Sequence, residues 1–503
     1  MAQFIKLDTS KLTHLRTVDP RLMSYNVEMT EVTGGTFWKA YTPGQIAGTE
    51  DFPPIKDFSE AAKLLEWKNP IDLYNPRLRK LAKDLGAAWI RVSGGWANST
   101  YYDFDGHTGG KAPAGYGGVL TREQWIGVLD FVKAVDGKLL VSMANCEGLH
   151  SAQEPWNPSQ AELLFGLSKE YGVSVNAVEF VNEPNVMMES SGSPKGYNAA
   201  YYRRDQDLFI AWVRENYPDC LLIGPCTTDS RVVKMGPDDS KGGAGIGDML
   251  NSCSTEELMD GCKEKFDAFS YHYYNGISDR LAPMMPSAHW PAADAASDSY
   301  LAMAGRCARG FVPFRDKYCP GGQMWVTESG DAGGGGDTWA STYLDVLRTL
   351  NELGDFATVT DGIIFHNTLA SSDYGFLQHG TFEPRPNYFA VLLWNTLMGT
   401  TVYDSGEEIR EGAHVYCHSR KDGKDGCVYL VINNSLTDTT TVELPKAAVR
   451  YTLAGRDGMR SIVMTLNGQD LTLGENDELP FLCGETVSGT IELAPGSCTF
   501  LVL

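Results

Sequence analysis

The chain of 503 residues is too long for one ordinary domain, so one large fold with a smaller companion is expected. Its composition, 43% hydrophobic and 21% charged, is that of a folded globular protein and excludes an intrinsically disordered one. No apolar run reaches the length of a membrane span. A formal charge of -22 argues against nucleic acid and anionic membranes as partners, because the summed negative field repels them.

The N-terminus and the cysteines bear on the compartment. Residues Met1 to Asp8 contain no basic segment followed by an apolar one, so a secretory signal is not expected and a cytoplasmic location is predicted. The alternative is a secreted or periplasmic protein whose signal has been removed. The 11 cysteines are scattered without Cys-x-x-Cys pairs, which favours reduced, mostly buried thiols over disulfides or a zinc site. We therefore expect neither a cofactor nor a metal.

Eight short β-type runs alternate with helical stretches between residues 21 and 399. This alternation is typical of parallel strands joined by crossover helices. The predicted strands are Leu22 to Met29, Ala87 to Gly94, Lys138 to Asn145, Val175 to Glu183, Leu221 to Gly224, Phe266 to Tyr274, Met324 to Glu328 and Gly362 to Asn367. Eight such units predict an α/β fold, the (β/α)8 TIM barrel.

The pattern changes after residue 399 to short strands with turn signals and no long helix, as in residues 426–432 and 499–503. This pattern predicts an antiparallel β-sandwich over residues 400–503. An extended run with Phe4, Ile5 and Leu7 lies in residues 1–20, before the first barrel strand. We expect this run to add a strand to the sandwich, which leaves 21–399 for the barrel.

Two apolar strands end in a carboxylate. The run from Val178 to Asn182 leads into Glu183 at strand four, and the run from Met324 to Thr327 leads into Glu328 at strand seven. The C-terminal strand ends form the functional face of such a barrel. A structural salt bridge is the alternative for either glutamate alone, but the pair favours glycoside hydrolysis.

Each glutamate has a predicted role. In a retaining hydrolase one carboxyl group protonates the leaving oxygen, and a second, about 5 to 5.5 Å away, forms a glycosyl ester. We predict Glu183 as the acid/base and Glu328 as the nucleophile. The charge of Glu328 is expected to keep Glu183 protonated near neutral pH. Asn182, beside the acid, is expected to hydrogen-bond a sugar hydroxyl.

The motifs Asn182-Glu183-Pro184 and Thr327-Glu328-Ser329 resemble those of clan A, the (β/α)8 retaining glycosidases. Further stretches are similar to glycoside hydrolase family 79, the β-glucuronidases and heparanase. One is the run Ser270-Tyr271-His272-Tyr273-Tyr274-Asn275-Gly276. The resemblance implies that Tyr273 or Tyr274 hydrogen-bonds the nucleophile and that His272 supports the site. An aromatic core cluster is the alternative.

The resemblance also implies a uronic acid pocket. The family has a glycine run whose backbone N–H groups meet the uronate carboxylate, and Gly333 to Gly336, with Gly334 and Gly335 at its centre, stands in the matching place. Tyr374 is similar to the family tyrosine that donates to the same carboxylate. The alternatives are a flexible loop and a surface aromatic residue.

Two more residues are assigned by the resemblance, and a third departs from the family pattern. Glu28 falls where the family places an acidic residue that grips sugar hydroxyls, although heparanase has the shorter aspartate. Arg91 resembles the strand-two arginine that orients the nucleophile, with a buried salt bridge as the alternative. Trp96 stands where heparanase has a small polar residue. It is expected to stack on the sugar or close the pocket, unless it is an ordinary core or loop tryptophan.

The function predicted is a retaining, exo-acting β-glucuronidase that releases terminal β-linked glucuronic acid from a glycan or a small conjugate. Alternatives are a related β-glycosidase for neutral sugars, a heparanase-like endo-glucuronidase and, in another class, a non-catalytic carbohydrate-binding protein. Cleavage within a sulfated chain needs basic residues along an open cleft, and the strand-end loops offer few. The expected partner is a glucuronic-acid-containing carbohydrate or a small glucuronide.

Overall fold

The computed structural model describes residues 3–52, 55, 58–187, 193–229, 231–232, 236–237 and 253–503. Its larger part is a closed barrel of eight parallel strands. The strands, numbered in chain order, are β1 Met23–Glu28, β2 Trp89–Ser93, β3 Lys138–Ser142, β4 Val175–Glu179, β5 Leu221–Thr227, β6 Ala268–Ile277, β7 Gln323–Gly333 and β8 Ile364–His366. Each strand pairs with the next, and β8 pairs with β1, which confirms the predicted barrel.

Several strand ends differ from the sequence prediction by a few residues, and two of these differences concern the candidate catalytic glutamates. β4 ends at Glu179, so Glu183 lies in the turn beyond the strand rather than at its last position. β7 continues to Gly333 because its pairing with β6 extends to Ile277. Glu328 therefore lies inside β7, and its backbone is held by the sheet.

The barrel interior has an apolar floor below a polar layer. Alternate side chains of each strand point inward, so every second residue of a strand contributes to the barrel interior. The floor consists of Trp89, Leu140, Ala177, Ile223, Ala268, Trp325, Ile363 and Phe365. Two residues further along β2, β3 and β4 stand Arg91, Ser142 and Glu179, all fully buried. The same alternation that builds the floor thus places a charged arginine at the centre of the barrel.

Helices surround the barrel and pack with one apolar face. In Arg122–Ala134 the buried residues Trp125, Val128, Leu129 and Val132 recur at helical spacing, and Thr121 with Gln124 forms a capping box at its start. The longer helices are Pro76–Asp84, Arg122–Ala134, Ser159–Glu170, Ala199–Asn216, Met303–Tyr318, Leu344–Val359 and Pro386–Leu397. The shorter ones are Met29–Thr33, Pro43–Ala47, Pro184–Met187, Thr255–Met259 and Asp298–Leu301.

The described helices contain none that is both long and apolar enough to cross a membrane. The 11 cysteines are free thiols, and most of them are buried.

Two sheets form the predicted sandwich around a separate core. The larger sheet contains Thr13–Thr17, Met398–Asp404, His414–Arg420, Cys427–Asn433, Ala448–Gly455, Met464–Leu466, Gln469–Asp470, Glu485–Val487 and Ser497–Val502. The smaller contains Gln3–Lys6, Thr440–Glu443 and Thr490–Leu493. Apolar side chains from both sheets, such as Val442 and Val431, meet in one buried cluster.

The N-terminal residues pair with both sheets of the sandwich. Gln3–Lys6 lies parallel to Thr440–Glu443, and Thr13–Thr17 lies antiparallel to Met398–Asp404. The domain limits 1–20, 21–399 and 400–503 stay predictions.

Two small ribbons follow the first two barrel strands. After β1, Gly35–Trp38 pairs antiparallel with Leu65–Lys68. After β2, Thr100–Asp103 pairs with Gly118–Thr121. Because loops that follow barrel strands lie at the C-terminal face, both ribbons belong to the face where the candidate site lies.

Candidate active site

Glu183 and Glu328 meet at the C-terminal face of the barrel with His272 between them. His272 Nδ1 lies 2.9 Å from Glu183 Oε1 and 3.5 Å from Glu328 Oε2. One carboxylate oxygen of each glutamate lies within 4.8 Å of the other. Glu183 has a φ of 44°, an uncommon backbone conformation for a residue with a side chain. A quarter of the Glu183 side chain is exposed, so it remains open to a ligand.

The contacts of His272 decide which ring nitrogen carries its hydrogen. Arg91 Nη2 lies 3.3 Å from His272 Nε2, and a guanidinium can only donate. His272 Nε2 must therefore accept, and the hydrogen resides on Nδ1. The Nδ1–H group then donates to Glu183, which orients the carboxyl group of the predicted acid/base.

The pKa of Glu183 does not follow the sequence prediction. Burial tends to raise it, but the hydrogen bonds donated by His272 and by Thr228 Oγ1 outweigh burial, so the pKa lies below its ordinary value. This direction contradicts the expectation that Glu328 keeps Glu183 protonated near neutral pH. Two donors reverse the sign: His272 of β6, which was expected only to support the site, and Thr228 just after β5, which was not predicted.

Arg91 and Glu179 form a fully buried ion pair beneath the two glutamates. Arg91 Nη2 donates to Glu179 Oε1 at 2.6 Å and Arg91 Nη1 donates to Glu328 Oε1 at 3.0 Å. Burial alone would lower the pKa of Arg91, but the charges of Glu179 and Glu328 raise it. Burial tends to raise the pKa of Glu179, yet the charge and hydrogen bond of Arg91 lower it. Arg91 thus forms the buried salt bridge that was the alternative expectation, and it also contacts Glu328, the predicted nucleophile.

Asn182 is held by its oxygen. Arg91 Nη2 donates to Asn182 Oδ1 at 2.7 Å, and Asn98 Oδ1 accepts from the Asn182 backbone N–H at 2.9 Å. With its carbonyl oxygen turned to Arg91, the side chain of Asn182 presents its NH2 group elsewhere. A ligand would therefore meet a donor at this position.

The two neighbouring tyrosines of β6 have different partners. Tyr274 Oη donates to Glu328 Oε2 at 2.8 Å, while Tyr273 bonds Asn275. Asn367 Nδ2 donates to Tyr274 Oη at 3.0 Å and to Tyr374 Oη at 3.1 Å. Tyr374 is buried, so the surface-aromatic alternative for it is wrong. Its phenolic hydrogen has no acceptor within the described part of the chain.

Glu28 is buried close enough to Glu328 for the two carboxyl groups to interact. Burial, and then the negative charge of Glu328, raise its pKa well above the ordinary value. Its Oε2 has no hydrogen-bond partner among the described residues. A Cβ at Gly94 would lie 1.6 Å from that oxygen, so only glycine fits there. Glu31, which accepts from the Glu28 backbone N–H at 2.7 Å, fixes the start of the following helix.

The glycine run after Glu328 has a defined conformation. Gly334, Gly335 and Gly336 have φ values of 93°, 90° and 85°, which residues with side chains rarely adopt. The carbonyls of Gly333 and Gly335 accept from the backbone N–H groups of Ser278 and Asp373 at 2.9 and 3.1 Å. Such bonds contradict the alternative of a merely flexible loop.

An aromatic wall stands beside the glycine run. A Cβ at Gly335 would lie 2.7 Å from Trp38 Cβ and Cγ, so this tryptophan packs directly on the loop. The next residue back, Phe37, packs edge-on against Trp96 with ring centroids 4.9 Å apart. Trp96 is 37% exposed, which rules out the core alternative.

The group Glu183, His272 and Glu328 has a spacing that a metal ion would accept. His272 Nε2, however, already faces the Arg91 guanidinium, whose charge lies 3.0 Å from Glu328. A second cation would meet that positive charge. The residues fit a hydrogen-bonded acid pair better than a metal centre.

Several residues of the site were not predicted from the sequence. Thr228 and Asn367 directly follow β5 and β8, and Glu179 is the last residue of β4. The rule that drew attention to Glu183, a polar residue where an apolar strand ends, applies to all three. Applied to every strand, it would have found them.

Sequence comparison finds relatives of this chain among proteins of named activity. Heparanase-like protein 1 from Arabidopsis thaliana is 23% identical over 86% of this chain and 85% of its own. Baicalin-β-D-glucuronidase from Scutellaria baicalensis is 29% identical over 36% of each chain. The chain is a relative of the heparanases and β-glucuronidases of glycoside hydrolase family 79. The names of these relatives support the predicted class of enzyme, a glycoside hydrolase. No family model matches it.

The relatives include a protein named as inactive, and solved structures share the fold of this chain. Inactive heparanase-2 from Homo sapiens is 24% identical over 68% of this chain and 59% of its own, so relationship alone does not establish turnover. A 4-O-α-L-rhamnosyl-β-D-glucuronidase from Fusarium oxysporum covers 99% of this chain and 100% of its own at 13% identity and a TM-score of 0.60. At that identity the match shows the shared fold and nothing finer.

Proposed function

We propose that the protein is a retaining β-glucuronidase that removes a terminal β-linked glucuronic acid. The observation that carries this proposal is the pair of Glu183 and Glu328 with carboxylate oxygens within 4.8 Å. That proximity suits the retaining arrangement, in which the carboxyl groups stand about 5 to 5.5 Å apart, better than the inverting one at about 6.5 to 9.5 Å.

In the first step Glu328 attacks the anomeric carbon as the bond to the leaving oxygen breaks. Glu183 gives its proton to that oxygen, so the aglycone leaves as an alcohol and a glycosyl ester forms on Glu328. Arg91 and Tyr274 each hold one oxygen of Glu328, at 3.0 and 2.8 Å. Two such contacts fix the nucleophile for attack on the sugar.

In the second step Glu183 acts as a base. It removes a proton from a water molecule, which attacks the anomeric carbon and releases Glu328 as a carboxylate. Glu183 is a carboxylate at the start of this step because it has given its proton to the leaving oxygen in the first step. The first step needs the protonated form of Glu183 and the carboxylate form of Glu328, so kcat/KM should fall on both sides of a pH optimum.

The preference for a uronic acid is supported by donors on one side of the glutamates. The N–H groups of Gly334 and Gly335 donate to no acceptor among the described residues, and neither does the hydroxyl of Tyr374. Three neutral donors can bind a carboxylate without a counter-charge. We expect Glu28 and Asn182 to contact the sugar hydroxyls.

Exo action is supported by the ribbon of Gly35–Trp38 and Leu65–Lys68. Through Trp38 it packs on Gly335, and through Phe37 it meets Trp96. We infer that this wall closes the pocket beyond the terminal sugar. An endo-acting enzyme would need an open cleft on that side.

The test is a comparison of p-nitrophenyl β-D-glucuronide with the corresponding glucoside and xyloside. We expect the highest kcat/KM for the glucuronide, and a β-configured product when the reaction is followed by NMR. Faster hydrolysis of a neutral sugar would contradict the uronate preference. Release of oligosaccharides rather than glucuronic acid from a glucuronate-containing chain would contradict exo action.

A further inference from the structure

Arg280 is buried directly behind the glycine run. Its side chain is 1% exposed, and its partner Asp373 is 3% exposed. Arg280 Nη1 donates to the carbonyl oxygens of Gly334 and Gly336 at 3.1 and 2.9 Å. The guanidinium also stacks on the ring of Tyr41, with its carbon 3.7 Å from the ring centroid.

The same guanidinium joins several loops of the C-terminal face. Arg280 Nη2 donates to the carbonyl of Lys39, at 2.6 Å, in the loop after the first ribbon strand. It also forms the ion pair with Asp373, the neighbour of Tyr374 in the loop after β8. Tyr41 Oη adds a bond to the Gly336 carbonyl at 3.0 Å. Arg280, which lies in the loop after β6, therefore contacts the loops that follow β1, β7 and β8.

The orientation of the glycine amides follows from these contacts. In a planar trans peptide the C=O and the following N–H point in opposite directions. The Gly333 carbonyl is bound by the Ser278 N–H, so the Gly334 N–H points away from Ser278. The Gly334 carbonyl is bound by Arg280, so the Gly335 N–H points away from Arg280. These are the two N–H groups without an acceptor among the described residues.

We propose that Arg280 is a positioning residue that sets the specificity for a uronate by holding the glycine carbonyls from behind. This proposal rests on the proposed function. Without Arg280, the peptide between Gly334 and Gly335 is free to rotate, since glycine tolerates both orientations. The bond from a guanidinium also polarises that peptide and strengthens its N–H as a donor.

Arginine is required because both terminal nitrogens of its planar guanidinium group bind acceptors, each in a different direction. Two carbonyls are bound through Nη1, and Lys39 with Asp373 through Nη2. A lysine at this position would keep the charge but lose the planar fork and the stacking on Tyr41. Charge and geometry can therefore be separated by substitution.

The experiment compares Arg280→Lys and Arg280→Met with the wild type on p-nitrophenyl β-D-glucuronide and β-D-glucoside, which differ only at C6. Inhibition constants of glucuronate and glucose give a second comparison. Arg348, also buried between two acids, Asp345 and Glu352, supplies the control Arg348→Met. Guanidinium chloride is added to Arg280→Ala, with sodium chloride at equal ionic strength as its control.

We expect kcat/KM for the glucuronide to fall about tenfold or more in both Arg280 variants, mainly through KM, since loss of about 1.4 kcal/mol of binding is tenfold. The glucoside should change little, and guanidinium should restore part of the lost glucuronide activity. An equal fall on both substrates, as Arg348→Met would give, overturns the proposal. So does an unchanged ratio in Arg280→Lys, which decides the matter if Arg280→Met does not fold.

The two proposals fail in different ways. A wild-type enzyme without preference for the glucuronide contradicts the proposed function before any variant is made. A wild-type preference that survives the loss of Arg280 contradicts the role of Arg280 alone.

Discussion

Tyr274 Oη lies 2.8 Å from Glu328 Oε2, whereas its neighbour Tyr273 turns away and bonds Asn275. Successive residues of a strand point to opposite faces, so only one of the two tyrosines of β6 can reach the glutamate on β7. The sequence alone did not decide which of the two tyrosines bonds the predicted nucleophile. The contact identifies the residue to substitute and supplies its neighbour as a control.

We expect Tyr274→Phe to reduce kcat/KM by roughly 10- to 100-fold, because it removes one hydrogen bond to a charged group, worth about 1.5 to 3 kcal/mol. Tyr273→Phe should lower the melting temperature without a comparable loss of activity. Steady-state kinetics and thermal unfolding of both variants check this. Equal activity losses would show that Tyr274 acts only through packing.

Substitution of the two glutamates should give different substrate dependence. Glu328→Ala removes the nucleophile and should abolish turnover of every substrate. Glu183→Ala removes the acid, so it should cost about 10²- to 10⁴-fold with an alkyl glucuronide, and less with an aryl leaving group that needs no proton. Full activity of both variants would instead support a non-catalytic carbohydrate-binding protein, or chemistry elsewhere.

Thr228→Val should move the pH profile. The Thr228 hydroxyl stabilises the charged form of Glu183 and lowers its pKa, so its loss raises that pKa. More Glu183 is then protonated at a given pH, and the basic limb of kcat/KM shifts upward, by about half to one pH unit for a net bond of about 0.5 to 1.5 kcal/mol.

Thr227→Val is the matched control for that shift. Thr227 is also buried but bonds Thr255 instead of the candidate acid. Its profile should keep the wild-type limb. A limb that stays in place in Thr228→Val, or moves equally in both variants, would contradict the assigned role of Thr228.

Gly335→Ala should weaken glucuronide binding selectively. The added Cβ would stand 2.7 Å from Trp38 at a φ of 90°, so the peptide must shift. The control is Gly321→Ala, at a φ of 79° with open space around it, which carries backbone strain of about 1 to 2 kcal/mol but no clash. KM values for the glucuronide and the glucoside distinguish the two. An unchanged glucuronide KM in Gly335→Ala would remove the loop from substrate binding.

Glu31→Gln should make stability less sensitive to alkali. Burial raises the pKa of Glu31 to about 7. A carboxyl group with a raised folded-state pKa contributes stability that is full below its unfolded value of about 4.3 and is lost as the pH rises through 7. The variant should therefore gain stability relative to the wild type between pH 5 and pH 8.5. Melting temperatures across that range check the sign, and a constant difference would contradict it.

The candidate site shows how far local sequence patterns reach. Glu183 and Glu328 were found because each follows an apolar strand, a pattern visible in a few neighbouring residues. Thr228 and Asn367 obey the same rule less visibly, since a threonine or an asparagine after a strand is common. Arg280 had no local signal at all, because its meaning comes from carbonyls of a distant loop.

The sequence by itself determined the barrel, the sandwich and the two glutamates at one face, because strand and helix periodicities are local and a closed parallel barrel puts all C-terminal ends together. Only the tertiary structure decided the ionisation of Glu183, the choice of Tyr274 and the orientation of the glycine amides. Each of these depends on a hydrogen-bond donor supplied by another strand or loop. Burial strengthens such a hydrogen bond, because the protein interior has a lower dielectric constant than water.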